Sequence, residues 1–100
     1  MRVRFTPQAA KQYLDALRKL HAENAAGAAT VQQRTEAVVE LLREHPNAGH
    51  AIAEFPDLPH RELSAPPYRV FYRVASDTVW IVAVVHARRR PDPPESDSRD

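Results

Sequence analysis

Three groupings of side chains in this chain could do chemistry, and all of them fall between His60 and Arg90. Arg69, Phe71 and Arg73 stand at alternate positions, so in an extended strand two guanidiniums and a ring line one surface. Such a surface can hold phosphates and stack a base. The simpler reading is a solvated sheet face on which arginine stems cover apolar neighbours. His86 is followed by Arg88, Arg89 and Arg90; an imidazole beside several guanidiniums suits proton transfer on a phosphate held by the charges. The same residues would also serve as a charged strand end that keeps a sheet edge soluble. His60, Arg61 and Glu62 form the third grouping, in which the carboxylate is expected to pair with a neighbouring arginine.

These groups need a scaffold, and the surrounding residues describe one. Tyr68 to Ala75 and Thr78 to His86 are rich in Val, Ile, Tyr, Phe and Trp and are parted only by Ser76-Asp77, which is the pattern of a β-hairpin. A two-residue turn sets Ala75 opposite Thr78. Continued without interruption, that register puts Tyr68, Val70, Tyr72 and Val74 on one face with Val85, Ala83, Ile81 and Val79. The other face takes Arg69, Phe71 and Arg73 with Val84, Val82 and Trp80, and His86 near the strand end. Arg73 opposite Trp80 would make a cation–π pair. The first face reads as core and the second as the place to seek function.

Upstream, Met1 to Phe5 alternates as a short strand with Val3 and Phe5 inward. Thr6-Pro7 is a helix start, with Thr able to cap and Pro tolerated at the first helical position. Ala10, Tyr13, Leu14, Leu17 and Leu20 follow at helical spacing. Asn24 to Ala29, with Gly27, is expected to end this helix, and Thr30 to Gln33 to open the next as a capping box. Val31, Thr35, Val38 and Leu42, flanked by Val39 and Leu41, form its apolar side, and Pro46 stops it. His21 and His45 fall near helix C-termini, where an imidazole suits the dipole. Pro46 to Pro59 reads as a loop packed down by Ile52, Phe55 and Leu58. A short strand over His60 to Ser64 ends at Pro66-Pro67. The expected fold is α+β, with element order β-α-α-β-β-β and an antiparallel sheet packed on one face by a helical hairpin. It occupies residues 1–90 as one domain, followed by a disordered, acidic and proline-rich tail over 91–100.

Composition narrows the function classes. The net charge is only +1, but Arg61 to Arg90 carries six arginines against Glu62 and Asp77, while the last ten residues are acidic. A polyanionic or acidic partner therefore suits the sheet and its exit. The absence of cysteine excludes disulfides and thiolate metal sites, and the two glycines exclude a glycine-rich phosphate loop. The scattered histidines fit no metal spacing, so neither a metal nor another cofactor is expected. No apolar run could span a bilayer and no signal-peptide stretch is visible, which leads to the expectation of a cytoplasmic protein without membrane contact.

The order of elements resembles the RelE/ParE superfamily of bacterial type II toxins over about residues 2 to 90. The resemblance is carried by Phe5-Thr6-Pro7, by Pro46-Asn47-Ala48-Gly49, by the Tyr68-Arg-Val-Phe-Tyr-Arg-Val74 strand and by the Val84-Val-His-Ala-Arg-Arg89 exit. It implies a cognate antitoxin as partner in a hetero-oligomer, and one of two targets. RelE-like members cleave messenger RNA on the ribosome; ParE-like members bind and inhibit DNA gyrase. In the ribonuclease reading, Arg69 and Arg89 match arginines of the enzymes, with His86, Arg73 and His60 as further catalytic candidates. Where those enzymes have a pair of lysines, however, this chain has His60 and Glu62, and a Pro-Asp-Pro-Pro segment replaces the aromatic residue after the last strand. The ParE-like branch, without catalysis, is therefore the expectation. Arg61, Arg69, Arg73, Trp80, Arg88, Arg89 and Arg90 are then candidates for contact with the target.

Overall fold

Alternation in Arg2–Phe5 produces the first strand, β1, in the computed structural model, which describes residues 1–94. Helix α1 (Pro7–Glu23) begins where Thr6 accepts a hydrogen bond from the Ala9 amide at 3.2 Å, with Pro7 in the first turn. Helix α2 spans Ala25–Glu44, β2 His50–Ala51, β3 Arg61–Ala65, β4 Tyr68–Ala75 and β5 Thr78–His86. The strands form one sheet in the order β1-β5-β4-β3-β2. All neighbours are antiparallel except β1 and β5, which run parallel.

The helix hairpin is tighter than expected. Asn24 closes α1 through its backbone amide to the Leu20 carbonyl, and its side chain accepts from the Gly27 amide at 3.1 Å to open α2. One residue thus replaces the loop expected over 24–29. Four alanines around Gly27 favour the helix enough to carry a residue that costs about 1 kcal/mol there. Thr30 consequently lies inside α2, where its hydroxyl donates to the Ala26 carbonyl, and the Thr30–Gln33 capping box does not form. The apolar side of α2 is as the spacing predicts: Val31, Thr35, Val38 and Leu42 are all buried. Leu14 and Leu41, assigned to the apolar stripes, are instead exposed.

The core lies between the hairpin and the sheet. Ala9, Val38 and Leu42 pack on Ala65, Val70, Tyr72, Val79, Ile81 and Val84, with Phe5 stacked on Tyr13. The β4–β5 register begins as expected, with Ala75 opposite Thr78 and Tyr72 opposite Ile81. Then Phe71 pairs with Ala83, so Val82 is the extra residue of a β-bulge. One inserted residue sends everything beyond it to the opposite face. Val84 turns into the main core and Ala83 out of it, the reverse of the uninterrupted register.

The loop after α2 is held closely. Gly49 donates its amide to the buried Tyr72 hydroxyl at 2.9 Å. A Cβ at Gly49 would lie 2.3 Å from the Glu62 carbonyl oxygen and 2.8 Å from the Tyr72 hydroxyl, so this motif position admits no side chain. The segment expected to be wholly irregular also contributes β2, whose His50 and Ala51 pair with Glu62 and Arg61. Of the tail, Pro91 is buried and Asp92 to Pro94 have no regular structure, while residues 95–100 lie outside the described part.

Candidate functional site: a closed sheet face and an open basic exit

The face of the sheet turned away from the helices is not an open arginine surface. Ile52, Phe71, Trp80, Val82 and Ala83 form a second apolar cluster there, with Phe55 packed against it. Ile52 and Phe71 are fully buried and Trp80 retains 6 % of its exposure, so Phe71, the ring expected to stack a base, and Trp80, a candidate for contact with the target, are core residues. Arg69 lies over the Phe71 ring, its guanidinium carbon 5.0 Å from the centroid. Arg73 faces Trp80 across the strands, as the register predicts.

Arg69 is engaged on both of its bidentate edges. In the β3–β4 register it stands opposite Ser64, which makes Glu62 its diagonal neighbour on the same face. Its Nε and one terminal nitrogen donate to the two Glu62 oxygens at 2.9 and 2.7 Å. Its outer edge donates to both oxygens of Glu54, at 2.9 and 2.7 Å. The guanidinium side chain is 16 % exposed and Glu62 9 %, whereas Glu54 remains 39 % exposed. The two carboxylates push the Arg69 pKa up, Glu62 most strongly. Arg69 in return holds the Glu54 carboxyl down at about 2, mainly through its hydrogen bonds. The pairing expected for Glu62 is present; Glu54 had no signal in the sequence, because its position depends on how Ile52 and Phe55 dock the loop.

His60 is fully buried, and Arg61 lies on the opposite face from Glu62. The Arg61 guanidinium donates to the carbonyls of Asn47 (3.2 Å) and Gly49, latching the loop after α2. It therefore does not join Arg69 and Arg73.

The bulge also separates His86 from Arg69. His86 ends opposite Tyr68, their rings edge to face at 5.4 Å, on the side of the sheet covered by α1. Its Nδ1 accepts the Arg88 amide at 3.1 Å, leaving the hydrogen of the neutral ring on Nε2. An open cleft of about 420 Å³ runs between α1 and this strand end, lined among others by Gln12, Asp15, Lys19, Tyr68, His86 and Arg89. Burial pushes the Tyr68 hydroxyl pKa up, so it stays protonated at neutral pH. Arg88, Arg89 and Arg90 are exposed in the turn after β5. The chain thus presents a neutralised, packed sheet face and, where β5 leaves the sheet, a cationic exit beside an open cleft on the opposite side. Among the described residues, no group of His, Asp or Glu side chains could hold a metal ion. Nor is any helix among them long and apolar enough to cross a membrane.

A two-helix hairpin on one side of a five-stranded, mostly antiparallel sheet, with a bulged central hairpin and a basic exit, defines the architectural class. The sequence model of the ParE toxin of type II toxin-antitoxin systems (parDE) matches residues 3–91. The chain belongs to that family. The fold is similar to a solved structure from the chromosomal ParDE system of P. aeruginosa, with a TM-score of 0.68 and 19% identity. That likeness covers 86% of this chain and 95% of the other. No curated protein sequence matches the chain.

Proposed function

We propose that this ParE-family toxin arrests growth by binding DNA gyrase in the cytoplasm, and that a cognate antitoxin neutralises it within a hetero-oligomer. The observation that carries binding over RNA cleavage is the state of Arg69. An arginine that stabilises charge developing on a scissile phosphate must offer that phosphate a donor edge, and here Glu62 and Glu54 take both edges. His86, the other acid–base candidate, lies on the opposite side of the sheet from Arg69 and cannot act with it on one phosphate. Binding remains well served: Arg88, Arg89 and Arg90 are exposed and suit an acidic patch on a protein target.

The test is a side-by-side assay of the purified toxin for gyrase supercoiling and for messenger RNA cleavage on programmed ribosomes. Supercoiling should be inhibited, and a protein encoded by a neighbouring small reading frame should co-purify and relieve the inhibition. Alanine at Arg88, Arg89 or Arg90 should weaken inhibition in steps, since a binding surface spreads its energy over several contacts. Efficient cleavage that falls by about 10²–10³ in Arg69→Ala, with supercoiling untouched, would instead assign the ribonuclease activity.

A further inference from the structure

The Arg69 clamp has an asymmetry that points to a site. Glu62 comes from β3, is buried, and grips the inner edge of the guanidinium, so it orients the group as a fixed part of the sheet. Glu54 comes from the irregular segment between β2 and β3, is 39 % exposed, and covers the outer edge with two parallel hydrogen bonds. Those are the geometry and donors that a phosphate would use. Beneath them Phe71 supports the guanidinium plane, and Glu62 removes its freedom to swing away. Take away the Glu54 carboxylate and what remains is a preorganised, outward-facing arginine fork on an apolar floor.

We propose that Arg69 is a latent oxyanion site for phosphate, and that Glu54 is the residue that keeps it shut by occupying it from within the same chain. Glu54 is then a specificity-determining residue. With it in place, the cluster of one arginine and two carboxylates has a net negative charge and repels a phosphodiester backbone. Without it, the pair is neutral and the phosphate finds two aligned donors. Protonation does not open the site at physiological pH, because the Glu54 carboxyl titrates at about 2. Only displacement or substitution of Glu54 does. The ligand chemistry is a phosphate oxyanion, either free or as part of a nucleic-acid strand.

The experiment compares wild type, Glu54→Ala, Glu54→Gln and the double variant Glu54→Ala/Arg69→Ala, each checked for a cooperative thermal transition that leaves it fully folded at the assay temperature. A fluorescein-labelled short uridine oligonucleotide is titrated at low salt and followed by anisotropy. Inorganic phosphate is titrated separately, with the Arg69 Nε–H resonance as the readout. Glu54→Ala should bind the oligonucleotide about tenfold tighter than wild type, Glu54→Gln should fall between them, and the double variant should lose the gain. Movement of the Arg69 resonance with phosphate, without a gain for the oligonucleotide, supports the oxyanion site and restricts it to the free anion. No change in either titration overturns the proposal, as does a gain that persists without Arg69. The inference rests in part on the binding role proposed above, but the two fail separately. Ribosomal cleavage by the wild-type protein would defeat that role; the Glu54 variants alone decide this one.

Discussion

The sheet face at Arg69 and the exit at His86 to Arg90 are built from the same residue types, and they behave in opposite ways. On the face, arginine meets two carboxylates within hydrogen-bond range and sits on a packed apolar floor. At the exit, three arginines stand exposed in a turn, with a histidine packed edge-on to a tyrosine behind them. A run of arginines is therefore no guide to a binding surface until the carboxylates that reach it are known. Here the clustered basic charge is structural where it is interleaved with aromatics and available where it is consecutive.

The contrast can be broken most severely at Gly49, on the structural side. Gly49→Ala drives a Cβ into the Glu62 carbonyl and the Tyr72 hydroxyl, and should cost about 3 kcal/mol or more of unfolding free energy. Urea denaturation measures this; a loss below about 1 kcal/mol would show that β3 can yield there. Glu62→Ala comes next. It strips the oriented edge of a largely buried guanidinium and should cost about 2 kcal/mol in the same assay, short of a fully buried pair because Glu54 remains.

A smaller effect sharpens the distinction between the two carboxylates. Glu54 has its folded pKa lowered from 4.5 to about 2, so its contribution is fully present above pH 4.5 and is lost as pH falls toward 2. Its partial exposure keeps that contribution under about 1 kcal/mol. Urea midpoints of wild type and Glu54→Ala should therefore differ slightly at pH 6 and converge near pH 2. The smallest effect on stability belongs to the exit. Replacing Arg88, Arg89 and Arg90 together by alanine should leave unfolding within about 0.5 kcal/mol of wild type, while inhibition of the target falls. A large stability loss would mean that the exit, like the face, is part of the body.

Much of the scaffold was legible because its signals are local. The 4-3-4 spacing of Val31, Thr35, Val38 and Leu42 marked the buried side of α2 correctly. The Ser76-Asp77 break located the β4–β5 turn, where Ser76 adopts a left-handed φ of 56°. The bulge was not legible, since Val82-Ala83-Val84-Val85 is apolar throughout and offers no alternation to reveal an inserted residue. That one residue moved His86 to the other side of the sheet from Arg69 and divided the candidate site in two. The start of α2 was misplaced because Gly27 looked like a breaker, while Asn24 could serve both helix ends. Glu54 was invisible for a different reason: its bond to Arg69 crosses fifteen positions and follows from the docking of Ile52 and Phe55.

Gln12 carries a consequence of another kind. Pairing between β1 and β5 ends at Phe5 opposite Ile81, with one further bond from the Thr6 amide to the Ile81 carbonyl. Beyond that point the rim of β5 continues without a neighbouring strand, and the Gln12 side chain accepts the Val84 amide at 2.8 Å. A single carboxamide from α1 thus stands in for the next strand. Uncapped strand rims template one another, so the colloidal behaviour of this small protein at high concentration depends on one uncharged side chain. Gln12→Ala should fold normally when dilute and form thioflavin-positive aggregates sooner than wild type when concentrated.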